Sequence, residues 1–401
     1  MRAERPGPKV EIDTKEKLDA MLKGPWAAGG AVFQGLDLRD VGPALSSRDL
    51  TGAVFAGCHL PPGLAARAAA DGALVFPRVE GQLFDPWRTR LYSPEELYAG
   101  FDPERAGSEA ETLDARIYDS CMDPTTRRPR PAGLDDALFR RLHDFAIADA
   151  VGDLLEAGAD RGRVAIMGGH AEPRGSDLYR DVARLARDLT REGYLLLSGG
   201  GPGLMEATNL GAHFGPHPDE ALEHATRRLA RAPDYSHPRW LAEALAVRAE
   251  WPGDPVRGRS LGIPTWFYGH EPPNPFASHI AKYFENSVRE EGLLALATHG
   301  VVFAPGNAGT MQEIFQDACQ NYYRTHTAFA SPMILFGRDY WDPEAMSDSP
   351  DDRRKKVWPL LRKLALEKGF ADRVSLVDSV GQIAETIRAF RPPDSPAGGG
   401  H

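Results

Sequence analysis

From residue 163 onward, short continuous apolar runs alternate with longer stretches of helical spacing. The runs are Val164-Ala-Ile-Met167, Tyr194-Leu-Leu-Leu197, Leu261-Gly-Ile-Pro264, Gly300-Val-Val-Phe-Ala304, Met333-Ile-Leu-Phe336 and Val374-Ser-Leu-Val377. A strand apolar at consecutive positions is covered on both faces, as in a parallel sheet. Between the runs, helical spacing covers about 178–192, 204–213, 352–368 and 380–390, and a helix follows Thr310. Strand, helix, strand, helix predicts an α/β fold, a doubly wound parallel sheet of Rossmann-like type over about 159–390.

The pattern before residue 160 is different. Residues 1 to about 12 read as a loose polar arm. Two phrases, Ala31-Val-Phe-Gln-Gly-Leu-Asp-Leu38 and Ala53-Val-Phe-Ala-Gly-Cys-His-Leu60, resemble a fragment of β coil. Two copies are too few for a solenoid, so 1–108 reads as a small accessory region. Ala73 to Pro77 predicts a connecting strand, and Ser93-Pro94 the cap and first position of a helix. Residues 109–158 predict a helical connector broken at the prolines of 125–131. Its second helix, 133–157, has Leu138, Leu142, Phe145, Ala146, Ala150 and Leu154 near one face, and His143 reads as structural there. Residues 215–254 read as a partly helical insertion, a lid or only a surface. The Arg353-Arg-Lys-Lys356 cluster reads as a solvated helix start, and 391–401 as a disordered tail.

Composition narrows the classes. With 42% hydrophobic and 26% charged residues the chain is of soluble globular type. Its net charge of −10, with no basic stretch interleaved with aromatics, argues against nucleic acid as a partner. No apolar run reaches the length of a membrane span. Three scattered cysteines, Cys58, Cys121 and Cys319, form no pair motif and suit a reducing cytoplasm. No metal-ligand spacing, Ser-His-Asp set or cofactor motif is present, so neither metal nor cofactor is expected.

Glycine gathers at the carboxyl ends of three predicted strands: Gly168-Gly169, then Gly199 to Gly203, then Gly306 to Gly309. Strand, glycine turn, helix presents backbone N–H groups to an anion. The second cluster is neither G-x-G-x-x-G nor a P-loop, so a dinucleotide reading is weak. A bare tight turn is the alternative to phosphate binding. Glu313, three residues past Thr310, could close a capping box or serve chemistry. With Arg289 upstream, the set fits a nucleotide monophosphate: phosphate on the turns, ribose near the charged pair. A carboxylate there can stabilise the oxocarbenium-like sugar formed when an N-glycosidic bond breaks.

Ser198-Gly-Gly-Gly-Pro-Gly-Leu-Met-Glu-Ala207 and Pro305-Gly-Asn-Ala-Gly-Thr-Met-Gln-Glu313 resemble the paired motifs of the Lonely Guy family of nucleotide phosphoribohydrolases, whose signature is PGGxGTxxE with an upstream helical Arg. The resemblance covers roughly 160–390. It implies a catalytic pair, Glu313 and Arg289, and phosphate binding by Gly200, Gly201, Gly203, Gly306, Gly309 and Thr310. Gly168, Gly169, Met205, Glu206 and Asn307 complete the expected substrate-binding set. Asn307 stands where the family has its second glycine, and Arg289 lies one residue further from Pro305 than the family spacing. The phrase Glu271-Pro-Pro-Asn-Pro275 is similar to one in the longer bacterial nucleosidases. The implied activity is hydrolysis of a nucleoside 5′-monophosphate to free base and ribose 5-phosphate, by a cytoplasmic homodimer or higher homo-oligomer. Two alternatives stay open: a nucleotide sensor of the same fold that binds without cleaving, and a biosynthetic nucleosidase for a modified pyrimidine nucleotide.

Overall fold

A computed structural model describes residues 10–24, 30–267 and 271–393. The chain forms two compact units, one from Met1–Leu91 and Ser120–Glu156, the other from Tyr92–Asp119 and Ala157–His401. The boundary therefore falls inside the helix Leu113–Cys121, and the segment expected as a connector is shared between the units.

In the smaller unit, strands β1 (Val10–Ile12), β2 (Ala31–Gln34), β3 (Val54–Cys58) and β4 (Leu74–Pro77) lie parallel in chain order. Helices Lys15–Lys23, Gly42–Ser46 and Leu64–Ala70 connect them. Pairing joins Val10 to Ala31, Val32 to Val54 and Val54 to Leu74, steps of 21, 22 and 20 residues. This is a short β–α solenoid with enough copies to bury a continuous core. Its centre is Phe33 stacked on Phe55, centroids 4.8 Å apart, with Ile12, Leu38, Leu50 and Leu64 buried around them. Two expectations are corrected. Val10–Ile12 is a strand and not part of a loose arm, and Leu74–Pro77 is the last solenoid strand and not a connector. Only two repeats show the Ala-Val-Phe text; the outer two have neither those identities nor that burial, for β1 buries only Ile12 and β4 buries none of its residues.

The helix Leu134–Glu156 buries only part of the expected face, Ala146 and Ala150. Leu138 and Phe145 are exposed, while Arg140, His143, Asp144, Ile147 and Val151 are buried. His143 sets Nδ1 3.3 Å from Asp144 Oδ1 and meets Phe84 edge-on, a packed structural histidine. The buried arginine and aspartate broke the apolar periodicity that would have marked the true face.

The larger unit holds a seven-stranded, all-parallel sheet: β5 (Gly162–Met167), β6 (Tyr194–Ser198), β7 (Ser260–Gly262), β8 (His279–Ile280), β9 (Gly300–Phe303), β10 (Met333–Phe336) and β11 (Val374–Val377). The order β11-β10-β9-β5-β6-β7-β8 makes the fold doubly wound. Winding reverses between β5 and β9, and a ligand crevice is expected there, outside the carboxyl ends. Every residue of β6, β9 and β10 is buried, which is why these strands were legible as apolar runs. On one face, Val164, Ile166, Leu196, Val302 and Ile334 pack with the helices Asp177–Arg191, Leu204–His213 and Val380–Ala389. Strand β8 has two residues and no apolar run to announce it. The helix expected over 352–368 runs only Trp358–Glu367, with Pro359 in its first turn. The basic cluster precedes it, and Arg354 is held by Asp352. The expected insertion supplies helices Asp219–Leu229 and Trp240–Glu250. Beyond Pro393 the expected tail lies outside the described residues. No described helix is long and apolar enough to cross a membrane.

Candidate functional site

A cavity of about 170 Å³ opens where β5, β6 and β9 end. The loop after β5 gives it Gly168, Gly169 and His170. The loop after β6 gives Gly199 and Gly201, and the next helix Met205. Asn307, Ala308, Gly309, Thr310 and Glu313 come from the turn and helix after β9. Pro264, Thr265, Glu271 and Arg289 complete the wall. This is the reversal point of the sheet.

The three loops are tied together by backbone. Gly169 N donates to Pro305 O at 3.0 Å, and Leu204 N donates to Gly169 O at 3.1 Å. Gly203 has φ +65°, and a Cβ on it would stand 2.4 Å from Gly169 O, so no other residue fits between these loops. Gly200 N donates to Ser198 Oγ, and Gly200 O accepts from Asn274 N at 2.7 Å. Asn274 is fully buried. Its Oδ1 accepts from Phe276 N and Ala277 N, and its Nδ2 donates to Asn209 Oδ1. The proline-rich phrase that carries Glu271 is thus the brace of the second glycine turn. On the third turn, a Cβ at Gly306 would lie 2.2 Å from Thr310 Oγ1. Gly200, Gly203 and Gly306 shape the turns but do not line the cavity.

Arg289 lies on the helix Asn286–Leu296 and Glu313 on the helix Ala308–Tyr323. Their side chains, 9% and 12% exposed, bring Nη1 within 3.9 Å of Oε1. Arg289 Nε is buried without a hydrogen-bond partner among the described residues. The same Nη1 comes within 4.0 Å of a Cβ built on Gly199, so this arginine reaches the second turn as well. Burial pushes the Glu313 carboxyl up to about 8; Arg289 opposes that shift, and Glu290 and Glu271 add to it. The helix start removes the capping-box alternative. Asn307 is the N-cap, and Thr310 already lies inside the first turn, so Glu313 sits in the second turn and not the first.

One expected substrate contact is displaced. Glu206 is fully buried beneath the loops, bound by Arg174 and by Tyr179 Oη at 3.1 Å. Arg174 Nη1 also donates to Trp240 O at 2.9 Å, and its guanidinium lies over the Trp240 ring. The ion pair therefore fastens the 215–254 insertion to the helix Leu204–His213 and does not line the cavity. Met205 lies against Gly199 and Gly201 on the cavity wall. His170 and Glu271 were not among the expected residues. His170 Nδ1 sits 3.0 Å from Glu271 Oε1, and the edge of Tyr235 from the insertion meets its ring. Glu271 stood in a phrase already singled out; His170 followed two glycines, with nothing further to mark it. A larger hollow of about 740 Å³ lies where β5 and β6 begin. Its Arg191, Arg257 and Arg259 are engaged by Asp219, Asp254 and Asp160.

No family model and no curated protein matches the chain. Among solved structures, it is similar to the structural-genomics target TM1055, with 18% identity and a TM-score of 0.33 over 57% of this chain and 99% of that one. It is also similar to the molybdenum cofactor binding protein of Rippkaea orientalis, at 16% identity and a TM-score of 0.33 over 58% and 98%. A third is the molybdenum cofactor carrier protein of Chlamydomonas reinhardtii, at 13% and 0.30 over 57% and 96%. Likeness at this level does not bear on chemistry.

Proposed function

We propose that this chain hydrolyses the N-glycosidic bond of a nucleoside 5′-monophosphate, releasing free base and ribose 5-phosphate. The observation that carries the reading is Glu313 facing Arg289 at 3.9 Å in a cavity walled by glycine turns. Backbone amides at Asn307 to Thr310, at the start of a helix, suit a phosphate. Arg289 can bridge from that anion to Glu313. Ribose hydroxyls placed against Glu313 would donate to it and favour its ionised form. The carboxylate then stabilises positive charge at C1′ and takes a proton from the attacking water.

A second reading, binding without cleavage, draws support from the same carboxyl. Held at about 8, it is neutral near pH 7 until a ligand changes its surroundings. Incubation with AMP, GMP, IMP, CMP, UMP and dTMP, followed by chromatography for free base, separates the two. Base release establishes the hydrolase. No release, with a rise in Tm on adding a nucleotide, establishes the binding module.

A further inference from the structure

Two groups in the cavity, His170 and Glu271, have no part in the step written above. Glu271 Oε1 holds His170 Nδ1 at 3.0 Å, and Oε2 lies over the second glycine turn, 3.1 Å from a Cβ built on Gly201. Nε2 of His170 has no hydrogen-bond partner among the described residues. Tyr235 packs edge-on against the ring, centroids 6.2 Å apart, and so limits how the imidazole can turn. The hydrogen bond that Nδ1–H donates to the Glu271 carboxylate raises the pKa of the imidazole and favours its doubly protonated form. An imidazolium fixed at Nδ1, with Nε2–H unspent, in the same cavity as a carboxylate–arginine pair, supplies a general acid beside a general base.

A base that leaves with the electron pair of its glycosidic bond departs as an anion unless it is protonated. Purines offer N7, a ring nitrogen with a free lone pair in the same five-membered ring as N9; pyrimidines lack that ring, and their protonatable sites are O2 and, in cytosine, N3 of the six-membered ring. We propose that His170 protonates N7 of a departing purine while Glu271 holds the imidazole through Nδ1, which makes purine nucleoside 5′-monophosphates the substrates. The assignment rests on the nucleosidase reading. In the step, the C1′–N9 pair moves into the purine and the Nε2 proton passes to N7. Water oxygen bonds to C1′ and gives its proton to Glu313, which returns it through solvent to His170. The sum is nucleotide plus water to purine plus ribose 5-phosphate.

The test compares AMP with a ribose 5-phosphate that carries 4-nitrophenolate at C1′, a leaving group that needs no protonation. His170→Gln keeps a hydrogen-bonding group toward Glu271. It should lower kcat on AMP by about 100-fold or more and leave kcat on the nitrophenyl substrate unchanged. Glu271→Gln should lower kcat on AMP by a smaller factor and also spare the nitrophenyl substrate. An equal loss on both substrates would make His170 a structural residue and overturn the assignment, as would an unchanged rate on AMP. If wild type cleaves the nitrophenyl substrate and CMP but not AMP, the nucleosidase stands and the acid assignment falls. If wild type cleaves none of the three, the nucleosidase reading falls and takes this one with it.

Discussion

At the scale of single residues, Glu313 departs far from ordinary carboxylate chemistry. Its carboxyl has an ordinary value of 4.5 and is pushed to about 8 by burial. Between those values the folded chain keeps a proton that the unfolded chain has released. The stability this group contributes is therefore whole below about 4.5 and is lost as pH rises to about 8. Glutamine does not titrate. The gain in Tm of Glu313→Gln over wild type should widen steadily from pH 5 to pH 8 in differential scanning calorimetry. A gain that stays flat across that range would mean the carboxyl is not desolvated. Glu206, by contrast, is satisfied on every side by Arg174 and Tyr179. The two glutamates follow similar glycine turns in the sequence, and nothing local separates them. Arg174 and Arg289, lying on different elements, decide which one is anchored and which one faces the cavity.

At the scale of elements, what was legible is what local spacing encodes. Apolar runs gave β5, β6, β9, β10 and β11, and glycine clusters gave the loops that meet at the cavity. The partners across loops were not legible, because they are set by which strands lie side by side. The crossing of the β5 and β6 loops at Gly203 is such a case. Gly203→Ala puts a side chain at positive φ and against Gly169 O. It should cost about 1–3 kcal/mol for the strained backbone alone, read from urea denaturation. Gly292 lies within the helix Asn286–Leu296, and a Cβ there meets nothing within 4 Å. Gly292→Ala should be neutral or stabilising by up to about 1 kcal/mol. Equal losses at both positions would mean that crowding between the loops is not what Gly203 relieves.

At the scale of the whole molecule, each unit has its own core, one around Phe33 and Phe55, the other around the seven-stranded sheet. The lining of the cavity comes entirely from the larger unit. The solenoid was half legible: two repeats share a phrase, while the outer strands, largely uncovered, carry no matching pattern of buried positions. Phe33→Ala should destabilise the smaller unit by about 3–5 kcal/mol, measured by urea denaturation. It should leave the rate of base release unchanged below the transition. A loss of rate in the folded variant would show that the solenoid takes part in the chemistry.

On the proposed reading, Glu313 is what turns a nucleotide-binding cavity into a hydrolase. The measurement that tests it most directly is base release from AMP by wild type and Glu313→Gln, run beside calorimetric titration of the same nucleotide into each. Wild type should give free adenine and ribose 5-phosphate and the variant neither, with the nucleotide bound by both. Full base release by the variant, or none by a wild type that binds the whole nucleotide panel, would contradict that reading.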